Sequence, residues 1–435
     1  MKKIFKIFCV FALINLTLIG KSFASDDEKI LKDELYQAVR DTIDGKLYYQ
    51  VNIKTVYGSS DINIYMANTD KDTLPAASTI KPFIGLSLLE KVENGQMLYT
   101  EEIKKDLDLS LRLSDNDATN RLIEEIGGFE EVNSYIKSFT KNERTSLNRL
   151  MLGKGEENIA NAKDLTLALY EIYRNDSEIG KDMAKSLSNP STKRVKLLKN
   201  VNPAYKTMNK TGELSHIEND VAFIETGSQA YIISLMTEND DFMDTYNQIL
   251  LINKLGEKVA KAYEKYENAN KNKEKLAEEK LLARLDSKEK KLAYAVYKNQ
   301  IFINAGQTLL ESDLPAIDQI RPVLSEQIEN SKAVLDKSKK TLASFSKEPI
   351  QSEEDMIVNL VRLLYTNKEL NSDLNRKLAL AFYNNKSATM AGNIILKEAP
   401  KKSLGIRRPL LRNIKASEKI LDKTQSYFEK LNAEN

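Results

Sequence analysis

Ser78 and Lys81 stand three residues apart at the start of an apolar run, a hydroxyl and an amine one turn from each other on a helical face. Such a serine becomes a nucleophile when the lysine gives up its proton readily, which burial or a second nearby cation would bring about. Two further strings supply the other parts of that chemistry. Ser114-Asp115-Asn116 offers a hydroxyl and a carboxamide two residues apart, suited to passing a proton to a departing nitrogen and to holding a substrate amide. Lys210-Thr211-Gly212 offers a fixed positive charge, a hydroxyl for a carboxylate, and a glycine across which a ligand can approach the backbone. The N–H of Ser78 at a helix start, together with that of Glu213, would stabilise an oxyanion. Read jointly, these residues are the groups expected for acyl transfer to serine. Each string alone has a plainer account. S-x-x-K recurs at Ser134, Ser138 and Ser287. Ser, Asp and Asn are preferred at helix N-caps, and Lys-Thr-Gly suits an edge strand with a bulge.

The elements around the strings are consistent with the joint reading. Apolar spacing predicts a helix over 26–44, ending at Gly45, and two alternating strands over 47–56 and 62–67 joined at Gly58-Ser59-Ser60. A helical run over 78–92 follows and stops near Asn94-Gly95. Helices are predicted over 110–126, with Ser114-Asp115-Asn116 in an interhelical loop, and over 129–139 and 162–174. Strands return over 209–214, 221–225 and 230–237, and a helix over 244–266 closes this part. Two strands, several helices and three strands imply an α+β domain whose antiparallel sheet joins the first and last strands.

Beyond Tyr266 the strand signal stops and the chain repeats itself at a spacing of about 86 residues. The run 292–299 matches 378–385, and Ala305-Gly306 matches Ala391-Gly392. Arg321-Pro322 matches Arg408-Pro409, and the run 334–337 matches 420–423. The prolines divide each copy into a helical hairpin. One hairpin cannot bury its apolar face alone, so 268–435 is expected to be an all-α, four-helix duplicated domain. Tyr297 and Tyr383 fall on the apolar face and are expected in its core.

Composition narrows the function. The chain has 435 residues, 41% hydrophobic and 29% charged, enough for two domains. Lys2, Lys3 and Lys6 precede an apolar run ending at Gly20, and Ser22-Phe23-Ala24 supplies small residues, so 1–24 is expected to be a cleaved secretory signal. Its loss takes four lysines and leaves 61 basic residues against 63 acidic ones, a balance that gives no support for a nucleic-acid or anionic-membrane partner. Export to the periplasm or the exterior is expected, with no membrane span in the mature protein. The one cysteine, Cys9, lies in the signal, so the mature chain has no disulfide and no thiol nucleophile. With His216 the single histidine, the sequence speaks against a Ser-His-Asp triad or a multi-histidine metal site. No cofactor is expected.

The order S-x-x-K, S-D-N and K-T-G, with the flanks Pro75-Ala-Ala-Ser-Thr-Ile-Lys-Pro82, Leu113-Ser-Asp-Asn-Asp-Ala-Thr-Asn120 and Asn219-Asp220-Val-Ala222, resembles the class A β-lactamases and penicillin-binding proteins over about 26–266. The resemblance implies a β-lactamase/transpeptidase-like fold and an acyl-enzyme at Ser78. Lys81 would activate the serine, Ser114 would relay the proton, Asn116 would bind the substrate amide, and Lys210 and Thr211 would grip its carboxylate. The substrate would be a β-lactam, with antibiotic resistance the consequence of its hydrolysis, or a peptidoglycan peptide.

The chain departs from the family pattern at several points. The family holds its deacylating water with a glutamate two residues after a loop arginine. If Arg149 is that arginine, the position holds Met151, and the loop is several residues short. Glu156 and Glu157 are the nearby carboxylates, and pairing of Glu157 with Arg149 is the plainer role for it. The stretch between Ser78 and Ser114 is also short, which would open one wall of the cleft. Glu218, just before Asn219-Asp220, would repel a substrate carboxylate or face solvent, and His216 is expected at a strand end on the surface. Three readings follow: a secreted β-lactamase-like hydrolase, a D-Ala-D-Ala peptidase or penicillin-binding protein with slow deacylation, and a non-catalytic envelope protein that binds a partner through its helical repeats.

Overall fold

A computed structural model of the chain describes residues 26–191, 194–239, 244–345, 352–366 and 368–433. The expected signal, 1–24, with Cys9 lies outside the described residues. The described chain forms two compact units, Asp26–Glu267 and the part from Asn268 onward. No helix among the described residues is long and apolar enough to cross a membrane.

The first unit is built on a five-stranded antiparallel sheet of β1 (Tyr48–Tyr57), β2 (Asn63–Ala67), β5 (Lys206–Leu214), β6 (Ile217–Glu225) and β7 (Ala230–Glu238), in the order β2-β1-β7-β6-β5. The first and last strands in sequence therefore meet at β1–β7, as the element pattern implies. Both faces of the sheet are covered, which is why β6 and β7 are buried almost throughout and show little alternation. On one face lie α1 (Asp26–Ile43), through Leu31, Leu35 and Val39, and α8 (Thr245–Ala283), through Ile252, Leu255, Val259 and Tyr263. On the other face α6 (Ala162–Arg174) packs across β1, β6 and β7, and Thr166 bonds Ser234 at 2.8 Å.

Beyond the sheet lies the helical half that carries the first two strings. A 3₁₀ turn, Ala77–Ile80, leads into α2 (Lys81–Glu93), whose residues from Lys81 to Leu89 are all buried. A helix buried on every side needs an apolar sequence all round, and this is the one the apolar run supplies. The helix expected over 110–126 is interrupted. α3 (Glu101–Asp108) passes into a π-helical turn, Leu109–Leu113, and α4 (Asn116–Ile126) starts anew after Ser114. α5 (Phe129–Thr140) follows, then a short pair of strands, β3 (Leu74–Pro75) with β4 (Ile159–Ala160), and α7 (Glu178–Ser188), which the apolar spacing did not announce.

The second unit is all-α. α9 (Lys288–Leu310) packs on α11 (Arg321–Ala343), and α13 (Asp373–Glu398) on α14 (Arg407–Ala433), while the single-turn α10 (Pro315–Asp318) lies in the first connection. The four-helix expectation is corrected in two respects. α8 runs on to Ala283 instead of stopping at Tyr266, and α12 (Glu353–Tyr365) precedes the second hairpin. A Cβ placed on Gly306 would meet Ile328 Cδ1 at 2.6 Å and Leu324 Cδ1 at 3.4 Å. On Gly392 it would meet Ile414 Cδ1 at 2.7 Å and Leu410 Cδ1 at 3.4 Å. The same close crossing thus recurs at one constant offset, which aligns Leu324 with Leu410 and moves the proline pairing of the sequence by one residue. Tyr297 and Tyr383 are both buried, their rings edge-to-face at 5.8 Å.

Candidate active site

Three elements deliver the three strings to one place. Ser78 sits in the 3₁₀ turn, preceded by Ala77 at φ 49°, a left-handed backbone that costs a non-glycine residue energy. The turn is fastened from both sides. The carbonyl of Asn158 accepts from Ala76 N at 2.7 Å, and Asn219 Nδ2 donates to Pro75 O at 2.8 Å and Ala76 O at 3.2 Å. Asn219 of the family-like flank is therefore a strut for the serine's turn. Lys81, one turn on, is buried, and its Nζ donates to Ser114 O (2.6 Å), Asn116 Oδ1 (2.9 Å), Ser114 Oγ (3.3 Å) and Asp115 O (3.3 Å).

The π-turn explains how Ser114 reaches that amine. Its wide last turn releases the chain with Ser114 at φ 61°, again left-handed. The N-cap reading of Ser-Asp-Asn and the chemical reading both hold, on different residues. Asp115 caps α4, accepting from Ala118 N at 2.7 Å, while Ser114 and Asn116 face the lysines. With its Oδ1 on Lys81, Asn116 presents an Nδ2 donor, the group suited to a carbonyl.

Lys210 approaches Ser114 from the sheet, its Nζ donating to Ser114 Oγ and to Thr211 O, each at 2.9 Å. β5 is the sheet's edge, as the plainer reading of Lys-Thr-Gly requires, yet its pairing with β6 is continuous from Lys206 to Leu214 and holds no bulge. Gly212 has a different reason to be glycine from the one expected. A Cβ there would meet Ala76 O at 2.9 Å, Thr79 N at 3.0 Å and Ala77 Cβ at 3.1 Å. What approaches Gly212 closely is the serine's own turn, so a side chain would push the third string off the first.

Both lysines are held below the ordinary range. Burial takes Lys81 to about 8, against a counter-pull from Asp115. Lys210 falls to about 7 through burial, then through repulsion by Lys81 and Lys196. Two amines share one hydroxyl, Ser114 Oγ.

Lys196 was not singled out by the sequence, since it lies among Lys193, Arg194 and Lys199 and looks like one more solvated lysine. It is buried, donates to Gly212 O and Asn219 O at 3.1 Å each, and pairs with Glu218 at 2.6 Å. Glu218 therefore neither repels a substrate nor faces solvent. Buried beside Lys196, it is drawn above the ordinary carboxylate range by burial and pulled back by that ammonium. Asp220, fully buried with Asn209 Nδ2 and Leu197 N at 3.1 Å, is pushed up to about 6 by burial. Glu213 is exposed and His216 caps the turn between β5 and β6 at φ 64°, also exposed.

The loop over 145–161 brings no carboxylate into this group. Arg149 pairs with Glu157 and donates to Gly153 O at 2.9 Å, and Glu156 is exposed. Met151 is buried, its backbone held by Asn120 Oδ1 on its N–H at 2.8 Å. Asn120 lies one turn beyond Asn116 on α4, so the backbone of Met151 is tied to the helix that carries the end of the second string.

Residues 104–263 match the sequence model of the beta-lactamase enzyme family. No curated protein sequence matches the chain. Among solved structures, PBP-A is similar at 19% identity, covering 54% of this chain and 97% of that one, with a TM-score of 0.47. A beta-lactamase from Sphaerobacter thermophilus is similar at 22% identity over 53% of this chain and 97% of that one (TM-score 0.46). A class A beta-lactamase from Mycobacterium abscessus is similar at 20% identity over 54% and 99% (TM-score 0.45). The segment that matches the beta-lactamase family model holds two of the three strings, Ser114-Asp115-Asn116 and Lys210-Thr211-Gly212, and the turn of Ser78 packs against it at Gly212.

Proposed function

We propose that this chain is a serine acyl-transfer enzyme acylated at Ser78 by β-lactams and by peptidoglycan peptides ending in D-Ala-D-Ala, and that its acyl-enzyme clears slowly. The observation that carries the proposal is the meeting of Lys81 and Lys210 on Ser114 Oγ, from two elements more than a hundred residues apart in sequence. In acylation, Ser78 Oγ adds to the substrate carbonyl as neutral Lys81 takes its proton. The amides of Ser78 and Glu213 hold the oxyanion. The C–N bond then breaks as Ser114 hands its proton to the nitrogen and takes in its place the proton held on Lys81. That returns Lys81 to the neutral amine and leaves an ester on Ser78. Asn116 would hold the substrate amide, while Lys210 and Thr211 would hold its carboxylate.

Deacylation needs a water and a base. Glu157 is engaged by Arg149, Glu156 is exposed, and Met151 carries no proton acceptor of use. This supports the penicillin-binding reading over efficient hydrolysis. The match to a beta-lactamase family model favours a second reading, true β-lactam turnover. Labelling with a penicillin and mapping the modified peptide tests the first part: the adduct is expected on Ser78 and absent from Ser78→Ala. Product in large molar excess over enzyme would favour turnover instead.

The N-terminal sequence 1–24 supports export before this activity is expressed. For the helical unit, the recurring glycine crossings support a duplication. The copy spacing places Glu353–Tyr365 opposite 267–279 of α8, so the repeated module would be three helices and not a hairpin.

A further inference from the structure

Lys196 is tied to its place from four directions. The carbonyl of Leu197 lies 1.9 Å from where a Cβ on Gly256 would stand, so only glycine in α8 lets this segment settle onto the helix. Asn253, its amide oriented to complement its neighbours, donates to Lys196 O at 2.9 Å and Val195 O at 3.0 Å. Leu197 N donates to Asp220 Oδ2 at 3.1 Å. The side chain then points under the sheet edge, 1% exposed, with Glu218 at 2.6 Å and Glu213 at 3.3 Å.

Its two remaining bonds go to residues that face each other across β5 and β6. Gly212 and Asn219 are register partners, and Lys196 Nζ donates to both carbonyls. Gly212 is the point where β5 touches the turn of Ser78, and Asn219 is the strut that holds the same turn. One ammonium thus pins the strand of the third string and the support of the first.

We propose that Lys196 is a positioning residue for acylation, a buried clamp that fixes the edge strand bearing Lys210 and Thr211 against the turn bearing Ser78. The proposal rests on acylation at Ser78. Removing the clamp lets the strand drift from the turn, and a displacement near 1 Å at such a site lowers rates by about 100-fold. It also removes one of the charges around Lys210. The others are Lys81 on α2, Asp220 on β6 and Glu213 on β5 itself. With the Lys196 charge gone, Lys210 binds its proton more tightly, so the limb it contributes to the acylation pH profile moves to higher pH.

The test compares the full chain with Lys196→Met, with Lys196→Met/Glu218→Gln, and with Lys196→Arg. The double variant also neutralises Glu218, the buried carboxylate paired directly with Lys196, while Asp220 keeps its bonds from Asn209 and Leu197, and it keeps the test valid if the single variant fails to fold. Acylation by a fluorescent penicillin is followed across pH, per mole of folded protein. The expected result is a roughly 100-fold slower double variant with a shifted limb, and partial recovery in Lys196→Arg. A double variant that acylates at the parent rate with the parent profile overturns the clamp alone. A parent protein that takes no label while folded overturns acylation at Ser78, and the clamp with it.

Discussion

The two units place polar side chains in their interiors for different ends. In Asp26–Glu267 the buried polar residues converge: Lys81, Lys210, Lys196, Asp220 and Glu218 stand within one chain of contacts under Ser78 and Ser114. From Asn268 onward the largest buried side chains are tyrosines and phenylalanines, and the notable contacts are helix crossings at Gly306 and Gly392 that recur at constant spacing. Desolvated charge is costly and persists where a folded framework holds it. Close helix crossings cost little and can be repeated. The first unit is thus organised around a buried cluster of charges and the second around packing, and substitutions in each should report differently.

The largest expected effect is at the nucleophile. Ser78→Ala should abolish the penicillin adduct while leaving the fold intact, as read by intact mass and circular dichroism. Gly212→Ala should come next. Its Cβ would strike backbone atoms of the serine's turn, so acylation should slow by about 100-fold, measured with a fluorescent penicillin. Met151→Glu should act in the opposite sense on the second step. By supplying the carboxylate that the family pattern calls for, it should clear the adduct at least about 10-fold faster, followed as the decay of the acylated mass.

Acylation should also rise with pH up to about 8, because Lys81 titrates there and its neutral amine is the base, and should be opposed by the loss of the Lys210 charge that holds the carboxylate, the two lysines titrating as a pair. A flat profile would separate the chemistry from these lysines. The smallest effect belongs to the other unit. Gly306→Ala and Gly392→Ala each press a methyl onto the flexible end of an isoleucine, and each should cost about 1 kcal/mol in denaturant titration, near the low end of overpacking. The two costs should be alike and the acylation rate unchanged. Unequal costs would break the equivalence of the two crossings.

Much of the candidate site was legible because acyl transfer would need particular groups at particular intervals, and Lys81, Ser114, Asn116 and Lys210, singled out on that ground, meet in the fold. What the sequence concealed is what depends on the folded interior. Lys196 sits in a lysine-rich stretch and gains its role only from the depth to which Gly256 admits the segment. Gly212 was marked as special, but the partner that makes it so is 135 residues away. Glu218 was misjudged for the same reason, since a strand residue's face is visible in alternation and β6 is buried on both. The meeting of the first and last strands in one sheet followed from the element pattern, and so did a loop at Ser114-Asp115-Asn116, whereas the π-helical turn that leads into it did not, because the residues 109–113 continue the helical pattern without a Gly or Pro.

The central claim is that the acylation half of the mechanism is assembled and the deacylation half is not. Its most direct measurement is the intact mass of the protein through time after mixing with a small molar excess of penicillin. The account predicts a single adduct that forms on Ser78 and persists long after free penicillin is removed. An adduct that vanishes within turnovers as penicillin is consumed, or none at all on the folded protein, would contradict it.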